Sequence, residues 1–213
     1  MASDTTANSI LAELARLYPR PAPELNFSNP YETLIAAMLS AQCTDKQVNS
    51  VTETLFVRFP DAYAIAALEP EQLEPHIRSV GLYHTKARNL VTTCRELVKR
   101  HGGEVPNTIG ELTALPGVGR KVANVVLANA FGQPAFAVDT HVQRVANRLG
   151  LADAKTPEQT ERQLMAVVPM GDWLDTHHRL IFHGRRICHA RRPDCAACTL
   201  YDLCANAGCT AAS

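Results

Sequence analysis

The chain has 213 residues, 46% of them hydrophobic and 20% charged, a balance that excludes disordered, fibrous and collagen-like classes. Lys plus Arg equals Asp plus Glu at 21 each, so bulk charge points to neither nucleic acid nor membrane, and only local clustering can. No run reaches the roughly 18 apolar residues of a membrane span, and the opening MASDTTANSI lacks the basic-then-apolar order of a signal peptide, so a cytosolic protein without a membrane partner is expected. Seven cysteines, an odd number, in such a chain speak against a disulfide framework and for metal, reactive thiols or core packing.

From the N-terminus onward the apolar spacing is helical nearly everywhere and no strand pattern emerges, so the chain is predicted to be all-α, with helices of about ten to fifteen residues. Ile10, Leu11, Leu14 and Leu17 share one face. Asn29 before Pro30 reads as an N-cap ahead of an N1 proline, and Thr44 with Gln47 fits a capping box that opens the Val48, Val51, Leu55 stripe. Leu90, Cys94 and Leu97 mark a further face. Thr156 with Gln159, around Pro157, repeats the capping box. Stops are expected at Gly81, Gly102 with Gly103, Gly132 and Gly150. The breaks at Pro19 to Pro23 and Gly132 to Pro134 are the expected crossings between two lobes. Cys43 and Cys94 fall in apolar helical patterns and read as buried thiols, and Cys209 reads as uninvolved.

Four features carry chemistry. The first is Leu112 followed by Leu115-Pro116-Gly117-Val118-Gly119-Arg120-Lys121, with Ala123, Val125 and Val126 beyond it. Two helices meet there at a turn whose glycines leave backbone N–H groups uncovered, next to a helix N-terminus, a combination that can hold a phosphate oxygen. A bare Gly-x-Gly is only a tight turn, but the full pattern over about residues 108–131 reads as a helix-hairpin-helix, a grip on the DNA backbone that ignores sequence. The second is Lys121, which opens an otherwise apolar helix. A cation there opposes the helix dipole, and the same field favours the free amine, a nucleophile; a solvated contact to phosphate is the other reading.

The third is Asp139, placed by Val138-Asp139-Thr140-His141 as the N-cap of the next helix and able, at the mouth of a cleft, also to stabilise a sugar cation. The fourth is Cys188, Cys195, Cys198 and Cys204, separated by six, two and five residues. Four thiolates so close can share one centre, and a single Cys-x-x-Cys favours a [4Fe-4S] cluster over the paired motifs of zinc. Charge clusters locally too. Between His177 and Arg192 stand five arginines and four histidines with no acid, and from Arg120 to Arg148 four cations face the single Asp139. These stretches form a candidate nucleic-acid face in a neutral protein.

The hairpin with Lys121, the Val138 to His141 segment and the cysteine spacing resemble, over Asn29 to Cys204, the helix-hairpin-helix DNA glycosylase superfamily in its iron–sulfur branch, to which the endonuclease III family belongs. The resemblance implies two helical lobes with a DNA-binding cleft between them: a six-helix barrel over 23–133, and a cluster domain from 1–22 with 134–213. It implies a monomer that binds damaged double-stranded DNA, extrudes the damaged nucleotide and fills the gap with Gln42 and Leu82, while Gly117, Val118, Gly119, Arg120, His141, Arg191 and Arg192 contact DNA. Lys121 is implied as the nucleophile at the sugar C1′ and Asp139 as the group that stabilises the developing positive charge. The reaction implied is removal of oxidised pyrimidines with strand cleavage by β-elimination. Two other readings are a monofunctional glycosylase of the mismatch-adenine type, which generally lacks the lysine, and a non-catalytic DNA-binding module. Thr113 departs from the family, where an acidic residue often precedes the hairpin.

Overall fold

The computed structural model describes residues 2–207; Cys209 lies outside them. Among the described residues there are helices and turns and no strand. The chain divides into two compact units, one running to Ala22 and resuming at Pro134, the other Pro23–Gln133. No helix among the described residues is long and apolar enough to cross a membrane.

The first unit opens with α1 (Asp4–Leu17), capped by the Ser3 side chain. The Pro23–Gln133 unit holds α2 (Pro30–Leu39), α3 (Asp45–Arg58), α4 (Ala62–Ala66), α5 (Pro70–Ile77), α6 (Tyr83–His101), α7 (Ile109–Thr113) and α8 (Arg120–Phe131). Its axis is α2, apolar on nearly every side, with Leu34, Ile35 and Leu39 fully buried; α8, α3 and α6 pack around it. In turn α6 receives α4 and α5, and α7 lies on α8. In the other unit α9 (Thr140–Leu149), α10 (Pro157–Val167) and α11 (Trp173–Arg186) complete the set, with α1 and α9 both packed on α11. Ile10, Leu14, Phe136, Val142, Val145, Leu164 and Leu180 form that unit's core.

Local signals account for most boundaries. Asn29 Oδ1 accepts from Glu32 N at 2.9 Å, and Gly102, Gly132 and Gly150 end α6, α8 and α9 in left-handed conformations. Of the two capping boxes only one half forms. Thr44 and Thr156 accept from the amides of Gln47 and Gln159 at 3.3 Å, but the glutamine side chains turn elsewhere, Gln47 to Ser79 Oγ and Gln159 to Lys155 N. Gly81 ends no helix. It follows the end of α5 by several residues and sits in the turn before α6, where an added Cβ would lie 3.6 Å from the Gln42 carbonyl oxygen. Cys94 is fully buried, its thiol pushed up to about 12 by desolvation, as the apolar pattern implied. Cys43 is not such a thiol. It is half-buried in the turn between α2 and α3, because α2 ends at Leu39.

Candidate nucleic-acid interface and active site

The hairpin forms where the glycine pattern placed it. Leu112 and Leu115 are buried beneath it, Leu115 N donates to Leu112 O, and Val118 N donates back to Leu115 O at 3.1 Å. Gly117 has φ +75, and a Cβ there would meet Asn89 of α6 at 2.8 Å, so both backbone and space require glycine. Val118 is buried as the hairpin's plug, whereas Gly119, Arg120 and Lys121 are exposed. Gly119 is the N-cap of α8 and brings no capping side chain, so the first turn presents its amides as an anion site. Lys121 is the second residue of that turn. Thr113 ends α7 with its hydroxyl bonded to Ile109 O at 2.7 Å, which turns the departing residue onto its own helix.

Gln42 and Leu82 are the only residues other than glycine with positive φ among the described residues, at 52° and 60°. A left-handed conformation costs a side-chain-bearing residue on the order of 1–2 kcal/mol, and Leu has no polar group to recover it locally. The two strained turns also meet, since the backbone of Gly81 lies against the Gln42 carbonyl and Gln47 Nε2 donates to Ser79 Oγ at 2.9 Å. Leu82 is 58% exposed, an apolar side chain held out to solvent at the start of α6.

In the other unit Asp139 caps α9, its Oδ1 accepting from Val142 N at 2.8 Å. The segment before it is anchored by His177, buried in α11, whose Nδ1 lies 2.7 Å from Ala137 O. His141 is half-buried, beside the Arg144 guanidinium, and burial holds its imidazole below the ordinary value. Two arginines of α9 were legible only as charge. Arg144 donates to the carbonyls of Cys188 and Gly184, and Arg148 donates to those of His189 and Ala190 and approaches Cys188 Sγ at 3.4 Å. Their spacing of four, matching one helix face, was the available signal.

Cys188, Cys195, Cys198 and Cys204 line one pocket together with Leu149, Ile187 and His183. The amides of Leu200 and Asn206 donate to Cys198 and Cys204, and these N–H groups, with Arg148 at Cys188, would stabilise thiolates; burial acts the other way and raises the thiols of Cys198 and Cys204. No three His, Cys, Asp or Glu side chains among the described residues close on one metal-ion position. The donor set of four thiols, three of them with N–H partners, nonetheless fits an iron–sulfur cluster.

The expected basic face between His177 and Arg192 is smaller than its charge count. His177, His178 and His183 are buried, with His178 and His183 held neutral by desolvation at about 3 and about 4. Arg179 turns inward to Asp175 and the Tyr18 carbonyl, and Arg186 lies over the Phe182 ring at 4.8 Å. The fold of α11 thus turns the three histidines and Arg179 towards the core, while Arg186 stays exposed with its guanidinium over a ring. Arg191 and Arg192 remain exposed, on the loop between Cys188 and Cys195 that Arg148 pins.

Residues 35–170 match the HhH-GPD superfamily base excision DNA repair proteins. Endonuclease III of Escherichia coli (strain K12) is 50% identical over 195 residues, 92% of each chain, and that of Bacillus subtilis (strain 168) is 48% identical over 91% of this chain and 89% of the relative. A trapped covalent intermediate of endonuclease III with DNA superimposes with a TM-score of 0.93 at 46% identity, covering 97% of this chain and 98% of that one. A hairpin with bare amides, a lysine in the turn behind it and a capping aspartate thus recur in a chain half-identical to repair enzymes along nearly its whole length, and the protein belongs to the HhH-GPD superfamily, in its endonuclease III family.

Proposed function

We propose that the protein is a bifunctional DNA glycosylase and abasic-site lyase of base excision repair, acting in the cytoplasm on oxidised pyrimidines in duplex DNA. The observation that carries this is the exposed lysine in the first turn of α8, directly behind a hairpin shaped for the DNA backbone. The hairpin amides of Gly117, Gly119 and Arg120 hold phosphate, with Val118 plugging the turn between them, Arg191, Arg192 and His141 add contacts, and Gln42 and Leu82 fill the space left by the extruded nucleotide. The Lys121 Nζ attacks C1′ of the sugar, the glycosidic bond breaks, and the base leaves with the bonding pair and takes up a proton. The nitrogen now bonded to C1′ gives up a proton, the C1′–O4′ bond opens with O4′ keeping the pair and taking up a proton, and the protonated Schiff base so formed acidifies C2′; loss of that proton expels the 3′ phosphate, and water releases the enzyme. Asp139 stabilises the positive charge that builds on the sugar as the base departs.

Cys188, Cys195, Cys198 and Cys204 would hold a [4Fe-4S] cluster, which when bound supplies four strong Fe–S bonds that fix the loop bearing Arg191 and Arg192. The protein's own part is to orient that loop through Arg148 and to shield the centre with Leu149 and Ile187.

The test is incision of a duplex carrying one thymine glycol, with products read at single-nucleotide resolution. A 3′ unsaturated aldehyde and a 5′ phosphate are expected; base release with an intact strand would point to a monofunctional enzyme. A second expectation concerns charge. Arg191→Ala with Arg192→Ala weakens damaged and undamaged duplexes alike and reduces the slope of log affinity against log salt by about two, about one per lost phosphate contact. An unchanged slope would place the footprint elsewhere.

A further inference from the structure

Lys86 lies on the inner face of α6, with Ala87, Leu90, Cys94 and Leu97. It is 7% exposed, and its Nζ is buried without a hydrogen-bond partner. Nothing in the reaction assigned to Lys121 uses it. An ammonium in such a place is unfavourable on two counts: it is taken from water unpaired, and it stands in the first turn of a helix whose N-terminal end is already positive. A methionine would fill the space without either penalty. Desolvation accordingly holds the amine below its usual range, while the Cys43 thiol is close enough to act on its charge in the opposite sense.

The backbone locates the group, since Lys86 N donates to Leu82 O at 3.0 Å. Cys43 follows Gln42 in the turn that leaves the carbonyl end of α2, α2 packs on α6, and Leu82 is the N-cap of α6. Lys86 therefore stands where the two left-handed turns meet, the turn of Gln42 resting its carbonyl on Gly81. A side chain in a helix reaches back over the preceding turn, which carries Lys86 towards Leu82. A buried cation attracts the peptide dipoles of the carbonyl end of a helix and of the turn beyond it, and does so strongly where water is excluded.

We propose that Lys86 is a positioning residue for DNA insertion: its buried ammonium holds the turns of Gln42 and Leu82 together in the left-handed conformations from which these two side chains enter the duplex. This rests on the reading of Gln42 and Leu82 as the inserted pair. Strain in both turns and an unpaired charge between them then form one device, in which folding stability is given up for a preformed insertion tip. Insertion matters only where a stacked duplex must be opened. An abasic site in a single strand presents C1′ to Lys121 without it, so Lys86 acts on one substrate form and not on the other.

The experiment measures borohydride trapping rates of the full-length, metal-replete protein on the same abasic oligonucleotide, single-stranded and in duplex, together with the melting temperature. Lys86→Met is expected to melt at or above the wild-type temperature and to trap the single strand within about twofold of wild type. Its duplex-to-single-strand rate ratio is expected to fall about tenfold, and Gln42→Ala and Leu82→Ala should lower the same ratio. An unchanged ratio in Lys86→Met beside lowered ratios in the other two overturns the role of Lys86 alone. Wild-type ratios in Gln42→Ala and Leu82→Ala overturn the insertion reading itself, whatever Lys86→Met does. A lowered melting temperature in Lys86→Met with equal loss on both substrates makes the lysine a structural support and also contradicts the proposal.

Discussion

Lys121→Gln abolishes strand scission and covalent trapping, with a loss of about 10⁴-fold or more, the scale on which removal of a nucleophile is felt. The substitution removes the amine and keeps length and polarity. Lys121 is exposed, and the hairpin beneath it is built from Leu112, Leu115 and Val118, so the fold and the hold on phosphate survive. Lesion DNA still binds, because an interaction used only in the transition state contributes to rate and not to ground-state affinity. Asp139→Asn behaves differently. Asn caps a helix as well as Asp does, so the bond to Val142 N and the start of α9 persist while the charge is lost. Base excision should slow by about 10²–10³-fold, the range for one electrostatic stabiliser, yet preformed abasic sites, whose glycosidic bond is already gone, should still be processed in part. Rates on paired lesion and abasic duplexes separate the two residues; equal losses by Asp139→Asn on both substrates would deny its assigned role.

Cys198→Ser has a comparably large effect of another kind. Where a metal centre is bound only by the folded chain, its binding free energy is folding free energy, so losing one of four ligands removes more than one contact. Cys198 is central to the loop: its amide donates to Cys195 O, its carbonyl accepts from Tyr201 N, and its sulfur lies 3.7 Å from His183 Nε2. The wild type should carry about four irons per chain and absorb broadly near about 400 nm. The serine variant should lose colour, iron and solubility together, at a cost of more than about 4 kcal/mol in the stability of its unit. Colourless wild-type protein with one zinc per chain would remove the iron–sulfur assignment, and a coloured, soluble Cys198→Ser would remove Cys198 from the ligand set.

The parts legible in the sequence were those fixed by local rules. Asn29, Thr44 and Thr156 cap helices because a short polar side chain reaches its own third amide, and Gly102, Gly117, Gly132 and Gly150 occupy left-handed positions. The cysteine spacing marked the pocket that now gathers all four sulfurs. What escaped depended on partners distant in the chain. Counting cations between His177 and Arg192 gave a surface, whereas α11 turns three of the histidines and Arg179 inward, and only a contact map tells the two apart. Arg144 and Arg148 looked like part of the same surface and proved to be clamps on the backbone around Cys188. Gln42 and Leu82 came from the family resemblance alone, since propensity assigns neither residue to a left-handed turn. Lys86 was concealed because a single charge within an apolar stripe reads as a lysine whose stem is buried and whose head is wet.

The proposed reaction turns on one bond, between Lys121 Nζ and C1′. Reduction with borohydride during reaction on an abasic duplex freezes the Schiff base as a secondary amine, and tandem mass spectrometry of the digested complex identifies the residue that carries the sugar. A single modified peptide containing Lys121, absent from Lys121→Gln, is the expected result. An adduct on any other amine, or wild-type-like trapping by Lys121→Gln, would contradict the account and leave Lys121 as a contact to phosphate.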